Sequence, residues 1–382
     1  MGLFSTKQKG YLGVDLGTSS IKIVQLENVS GRPKLTTYGL AEIPGNVIKN
    51  DSAKSQARVA KTIKAIMEQS RTTSTQVVSA IPSYAVFSSI ISLPFMQDKE
   101  LTSAVRWEAK KFVPMPIEEM ILDWKVLNAE DAQSGKKKDK KGSKKQVKKN
   151  DSGKEKKEDA EDDEQQKKRK KNLEILLTAA PKNIVRRYLN IFKLAELQLM
   201  SLETEAFSLE RALIGNDRSV IILVDIGALS TDINIIADRI PILSRSIDVG
   251  GDTITRAIAK NFNVSAKRAE QFKRDFGMSE SQGNQVPKTI EFVAGSVINE
   301  IKHVFSLYSS QGGAPIEKII LAGGSSFLPN LPQYLSSTLN INVVIGDPWS
   351  RILYPEELEP ALREIGPRYA VSVGLALRHI IP

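Results

Sequence analysis

Apolar and polar positions along this chain follow two rhythms. Tyr11–Asp15 is a short apolar run, Ser20–Glu27 sets Ile21, Ile23, Val24 and Leu26 against polar neighbours, and Leu35–Ile43 is a third strand-like stretch. Tight turns separate them, so the pattern predicts a meander of three antiparallel strands. From Ala53 to Glu68 the apolar positions take helical spacing (Ala57, Ala60, Ile63, Ala65, Ile66, Met67). Gln76–Ile81 reads as a strand stopped by Pro82, and Val86–Leu93 as another stopped by Pro94. Asp98–Phe112 is an amphipathic helix with Pro114 just beyond it. Asp123–Leu127 and Leu173–Ala179 are strand candidates; Lys182–Glu196 and Leu202–Leu213 are helix candidates.

The second half repeats the opening. Val220–Asp225 is an apolar run, Thr231–Ala237 alternates, and Ile240–Val249 is a third strand. Helical stretches follow at Thr253–Asn261, Ser265–Phe276 and Thr289–Tyr308, then a strand Lys318–Leu321 entering A-G-G-S, a strand Asn342–Ile345 and a helix Tyr369–His379. The two copies of strand, D-[LI]-G, strand, strand, helices lie 210 residues apart, Asp15 to Asp225. A repeat of this kind predicts two homologous lobes facing one another, with Asp15 and Asp225 brought together in the cleft.

Composition changes this picture in one place. From Glu130 to Asn172 there are 17 Lys plus Arg and 11 Asp plus Glu, a net of +6 out of +10 for the whole chain. Such a tract cannot bury enough apolar surface to offset ordering entropy, so 130–172 is expected to be a disordered lysine-rich insertion at a loop tip. It holds no aromatic residue for base stacking, and no specific nucleic-acid partner is expected. The chain has no cysteine and only His303 and His379, which excludes disulfides and thiolate nucleophiles and leaves no set of zinc ligands.

The chemistry lies in the turns. In Asp15-Leu16-Gly17-Thr18-Ser19-Ser20-Ile21-Lys22, Gly17 allows backbone angles barred to other residues, successive N–H groups form an anion nest, and Thr18, Ser19 and Ser20 add hydroxyls. Lys22 can point back as a phosphate counter-charge. Asp15 suits hydrated Mg²⁺, which takes one or two carboxylates plus phosphates and water. Asp225-Ile226-Gly227-Ala228-Leu229-Ser230-Thr231-Asp232 offers similar hardware from the other lobe. Leu321-Ala322-Gly323-Gly324-Ser325-Ser326 supplies two glycines against which a flat ligand can lie.

These stretches, with G-G-D-T-I-T, resemble the phosphate 1, phosphate 2 and adenosine motifs of the actin, heat-shock chaperone and sugar kinase superfamily. Within it the chain resembles the FtsA-like branch, and most of all the PilM family of type IV pilus assembly proteins. The stretches that carry this are S-L-P-F-M, E-L-T-S-A-V-R-W-E-A-K-K-F-V-P-M-P-I-E-E-M, L-L-T-A-A-P-K-N-I-V-R-R-Y and Y-A-V-S-V-G-L-A-L-R. The resemblance implies an α/β actin-like ATPase fold of two duplicated lobes around a nucleotide cleft, with a small FtsA/PilM-type α+β domain inserted in the first lobe. The bounds expected are 1–80 and 200–215 for the first lobe, 81–199 for the small domain and 216–382 for the second lobe. It implies ATP and Mg²⁺ as cofactors, with Asp15 and Asp225 holding the metal through water. Asp15, Gly17, Thr18, Ser19, Ser20 and Lys22 would form the first phosphate loop, and Asp225, Gly227 and Ser230 the second. Glu205 would position water, Gly250 and Gly251 would lie beside the nucleotide, Glu270 and Lys273 would contact ribose and adenine, and Gly323, Gly324 and Ser325 would line the adenine face.

Leu229 departs from the small pair usual in FtsA-like second loops, which makes slow hydrolysis, at most, the expectation. A small-molecule kinase would need a catalytic base, and none is evident. FtsA-like chains usually end in a basic amphipathic membrane helix; this one stops at Ile381-Pro382 after G-L-A-L-R. The expectation is therefore a cytoplasmic protein held at the inner face of the cytoplasmic membrane by a partner. The resemblance implies that this partner is the cytoplasmic tail of a PilN-type inner-membrane protein, among other pilus platform and motor proteins. An FtsA-like polymerising cell-division or cytoskeletal ATPase, with self-association, is the alternative. Phe95 and Trp107 are candidates to flank a peptide groove.

Overall fold

The computed structural model describes residues 10–44, 47–128, 172–279 and 286–381. The insertion, expected at 130–172, lies outside them except for Asn172, which opens a strand. The chain forms two compact units, 1–86 with 183–382 and, between them in sequence, 87–182.

The larger unit contains two sheets of the same topology. In the first, β1 (Tyr11–Leu16), β2 (Ser20–Val29) and β3 (Arg32–Glu42) form the expected antiparallel meander. β4 (Gln76–Ile81) and β8 (Gln198–Thr204) extend it in parallel, giving the order β3-β2-β1-β4-β8. In the second, β9 (Val220–Ile226), β10 (Thr231–Ala237) and β11 (Ile240–Ile247) repeat the meander, and β12 (Ile316–Ala322) and β13 (Asn342–Ile345) repeat the parallel extension, in the order β11-β10-β9-β12-β13.

Helices cover both sheets. On the first, α1 (Ala53–Gln69) and α3 (Lys182–Leu194) bury Val59, Ile63, Ile66, Tyr188, Ile191 and Phe192 against Leu12, Val14 and Ile23. On the second, α5 (Gly251–Phe262), α6 (Ala266–Phe276), α7 (Val286–Ser310) and α8 (Leu331–Leu339) bury Ile254, Ile258, Ile290 and Leu335 against Ile222, Val224 and Ile233. Two further helices, α4 (Glu205–Leu213) and α9 (Glu359–Leu377), join the sheets: Leu209, Ala370, Val371 and Leu375 share one core with Val78 and Ala80 of β4 and with Leu223 and Ile320 of the second sheet.

The crossing of α4 and α9 requires bare backbone. A Cβ placed on Gly374 would stand 1.8 Å from the Ser208 carbonyl oxygen, and one on Gly13 would stand 2.1 Å from that of Ser372. Small residues here let the two helices and β1 approach until their backbones touch.

Three of the differences from the sequence reading have a tertiary reason. Residues 198–204, read partly as helix, form the edge strand β8 because β4 offers it a parallel neighbour, so Glu205 begins α4 instead of lying within it. The last helix starts ten residues early and contains Pro367; the packing of Leu362, Tyr369 and Val373 on Val24, Leu26 and Leu35 outweighs the missing N–H. That packing also ties α9, expected in the second lobe, to the first sheet. The small unit is bounded at 87–182, inside the expected 81–199, because α3 belongs to the core of the first sheet.

The small unit is a three-stranded antiparallel sheet, β5 (Phe87–Pro94), β7 (Asn172–Pro181) and β6 (Met120–Val126) in the order β5-β7-β6. One face is covered by α2 (Asp98–Ala109), whose Leu101, Val105 and Ala109 pack on Ile91, Leu93, Ile175 and Leu177. Among the described residues, no helix is long and apolar enough to cross a membrane.

Gly374→Ala should force the α4–α9 crossing apart at a cost of about 1–3 kcal/mol. Calorimetry should show a melting temperature at least about 2 °C lower. Gly295→Ala, in α7 with open space around it, should leave the melting temperature unchanged or raise it.

Candidate functional site

The two hairpins share one register. Asp15 pairs across its hairpin with Lys22, and Asp225 pairs across the second with Asp232. In the first, the Lys22 ammonium donates to Asp15 Oδ2 at 2.7 Å, with both side chains nearly buried. In the second, the equivalent partner is another carboxylate. The duplication has therefore placed a cation in one hairpin where the other carries an acid.

Both turns are tight. The Gly227 N–H donates to Ser230 O at 2.9 Å. Gly17 does not have the positive φ expected of it; what it supplies is room, since a Cβ would stand 3.0 Å from Ser20 O and 3.1 Å from the Lys22 ammonium. Thr18 and Ser19 stay partly accessible at the tip of the turn, and Ser20 is buried at the start of β2. Among the glycines expected at the site, the one with positive φ is Gly323, at +82°. A Cβ there would stand 2.3 Å from Asp225 Oδ1, so the turn after β12 lies directly against that carboxylate.

Gly250 and Gly251 sit against the second turn. Gly251 N–H donates to Gly227 O at 2.9 Å and Asp252 N–H to Ala228 O at 2.8 Å, so the start of α5 spends these donors on the loop. Gly251, Lys273 and Ser325 converge: a Cβ on Gly251 would stand 2.5 Å from Ser325 Oγ and 3.3 Å from Lys273 Nζ. The buried Lys273 ammonium donates to Gly251 O at 3.1 Å and Thr255 Oγ1 at 3.0 Å, and pairs with Glu270 Oε2 at 2.6 Å. Its hydrogen-bonding capacity is thus spent within the second lobe. Thr255 and Arg274 hold Glu270 as well, and these bonds keep its carboxyl below the usual range against the opposing effect of burial. Gly324 stays exposed beside the Arg368 side chain.

Glu205 Oε2 accepts from both the N–H of Ser83, at 2.9 Å, and its hydroxyl, at 3.1 Å. Burial, then the charges of Asp232 and Asp15, push the Glu205 carboxyl well above the usual range, against the Ser83 N–H bond. Burial first, and Asp232 second, lift Asp225 to about 7, with Lys22 opposing and Asp15 adding. Burial lifts Asp232 to about 6, against a hydrogen bond from Ser246. Asp15, Asp225, Asp232 and Glu205 thus form one field of negative charge, with Lys22 as its counter-ion.

Asp232 and Ser83 were not among the residues expected from sequence. Asp232 was visible as the eighth position of the repeated turn, opposite Lys22. Ser83 carries no local signal. Asp232 Oδ1, both polar atoms of Asn234 and the Tyr188 hydroxyl are buried and have no hydrogen-bond partner among the described residues. Asn234 lies two residues along β10 from Asp232, on the same face.

The donor set suits a hard cation: it is all oxygen, and its acids repel one another. Among the described residues, no group of three His, Asp or Glu side chains could hold a metal by itself. An ion here would need further oxygens from a ligand or water, as Mg²⁺ does beside phosphates.

Two duplicated sheets, each a meander extended in parallel, with helices between them and acidic turns facing one cleft, define the actin-like ATPase fold. The structure matches a chain of the solved PilM-PilN type IV pilus biogenesis complex with a TM-score of 0.77 and 26% identity, over 98% of this chain and 99% of that one. It matches the ethanolamine utilization protein EutJ from Carboxydothermus hydrogenoformans (TM-score 0.54, 16% identity, 96% and 88% covered). It also matches MreB5 of Spiroplasma citri bound to AMPPNP (0.52, 12%, 98% and 97%). The sequence profile of the type IV pilus assembly protein PilM matches residues 13–140 and 161–380, and the chain belongs to that family.

A carboxyl whose pKa is raised by folding penalises the fold where it must ionise. For Asp225 and Asp232 that cost grows as pH rises from about 4 to about 7 and is fully present above. Asp232→Asn without ligand should therefore raise the melting temperature by a few degrees more at pH 8 than at pH 5. Equal shifts at both pH values would contradict this.

Proposed function

We propose that this chain is an ATP-binding component of the type IV pilus assembly machinery, holding ATP with Mg²⁺ between the two hairpins. The observation that carries the reading is the convergence of Asp15, Lys22, Asp225 and the Gly323 turn on one cleft. The Lys22 ammonium, and the turns at Gly17–Ser20 and Gly227–Ser230, would receive the phosphates. Asp15 and Asp225 would hold Mg²⁺ through water, and the ion would neutralise phosphate charge. Gly250, Gly251, Gly323, Gly324 and Ser325 would wall the nucleoside, with Glu270 at its edge; Lys273 would act by fixing Glu270.

Ser83 holds Glu205 where it could orient water, and Leu229 is bulky for a phosphate loop. The reading is tight binding with, at most, slow hydrolysis. Calorimetry with Mg-ATP should give one site, Lys22→Ala should weaken it at least about tenfold, and Gly323→Val should abolish it. No heat from the unaltered protein would overturn the reading. Glu205→Ala should remove any residual turnover while leaving affinity within a few-fold; unchanged turnover would take Glu205 out of the chemistry.

We further propose that the protein docks the cytoplasmic tail of a PilN-type membrane protein and is held by it at the inner face of the cytoplasmic membrane, beside other pilus platform and motor proteins. The support is the family match and the likeness to a chain of the PilM-PilN complex over nearly the whole of both chains. These favour a pilus component over an FtsA-like polymerising ATPase. Pull-down with a synthetic PilN-type tail tests it: capture is expected, and none would contradict it.

A further inference from the structure

The outward face of α2 carries an exposed aromatic ring beside a row of cations. The helix buries Leu101, Val105 and Ala109 on the sheet. At 100° per residue, Lys99, Arg106 and Lys110 fall on one band facing away from that stripe, with Trp107 at its edge. All four are exposed, and Trp107 is 68% accessible, the most exposed tryptophan among the described residues. The chain continues from the helix into Phe112 and Met115, also exposed at 46% and 40%.

The charge on this face is net positive. Among the described residues, Lys99, Arg106 and Lys110 have no ion-pair partner. Glu108, toward the inner side, is taken by Lys111 at 2.8 Å. Glu100 lies beside Trp107, on the side away from the three cations, so the face carries three cations to one acid. Lys110 reaches over the Trp107 ring at 5.8 Å, so the cation and the aromatic edge form one patch.

We propose that this face docks on an anionic phospholipid surface, with Trp107, Phe112 and Met115 entering the headgroup boundary and Lys99, Arg106 and Lys110 facing lipid phosphates. Indole rings favour the polar–apolar boundary, and basic side chains beside them draw on the surface potential. Three cations beside an exposed tryptophan match a surface that is negative outside and apolar beneath. An acidic peptide would match the cations alone and leave Phe112 and Met115 in water. The proposal is independent of nucleotide binding; either can fail without the other.

The test uses the full chain with vesicles of phosphatidylcholine, alone or with about one-third phosphatidylglycerol. Every variant keeps residues 129–171, so the charge of that segment cancels in each comparison. The unaltered protein should co-sediment with anionic vesicles, and Lys99→Glu/Arg106→Glu/Lys110→Glu should bind them at least about tenfold more weakly. Brominated acyl chains should quench a part of the tryptophan fluorescence that disappears in Trp107→Phe; Trp124 and Trp349 are less accessible and should persist. Melting temperatures within about 2 °C would show that the variants are folded. Equal vesicle binding by the triple variant, or no quenching, would overturn the proposal. So would unaltered vesicle binding by variants that lose capture of an acidic peptide, because the face would then serve a protein.

Discussion

The repulsion between carboxylates gathered on one cleft is the constraint around which the large unit is built. A fold that must only be stable would not bring Asp15, Asp225, Asp232 and Glu205 within reach of one another's charge. The structure does so by repeating one hairpin and turning the copies toward each other. Among the described residues, Lys22 is the cation that answers the field at Asp15 and Asp225, and the cost appears as acids lifted toward neutrality. A cation and a polyanion entering together would supply what the protein withholds: positive charge for the acids and negative charge for Lys22.

The rest of the large unit holds these turns in place. β1 and β9 end where their acids must stand, and the parallel strand beside each fixes the angle of the turn. α4 and α9 pass between the sheets at backbone contact, with Gly374 against Ser208 and Gly13 against Ser372, so the spacing of the hairpins is set by peptide groups and not by pliable side chains. Pro367 shows the same priority. Its carbonyl accepts the N–H of Gly323 at 3.0 Å, which ties the α9 helix to the turn that presses on Asp225.

Much of this was readable in the sequence because duplication writes the same pattern twice. The meanders, the acids at the ends of their first strands and the glycine turns all follow from local alternation and spacing. What local pattern cannot carry is a partner far along the chain. Ser83 meets Glu205 across 122 residues, and no spacing rule announces it. β8 is a strand because β4 lies beside it, and α9 runs through a proline because two sheets hold it. Gly17 was read as a conformational necessity and proved a spatial one. Asp232 was legible and passed over: an acid in a strand reads as solvent-facing until its opposite number in the other lobe proves to be Lys22.

The central claim is that both hairpins grip one nucleotide and one metal. It is tested most directly by a crystal structure grown with ATP and manganese, the metal located by its anomalous scattering. The account predicts one manganese peak bridging toward Asp15 and Asp225, with phosphates lying on the turns at Gly17 and Gly227. A nucleotide bound elsewhere, or a metal beside only one of the two aspartates with no phosphate at the other hairpin, would contradict it.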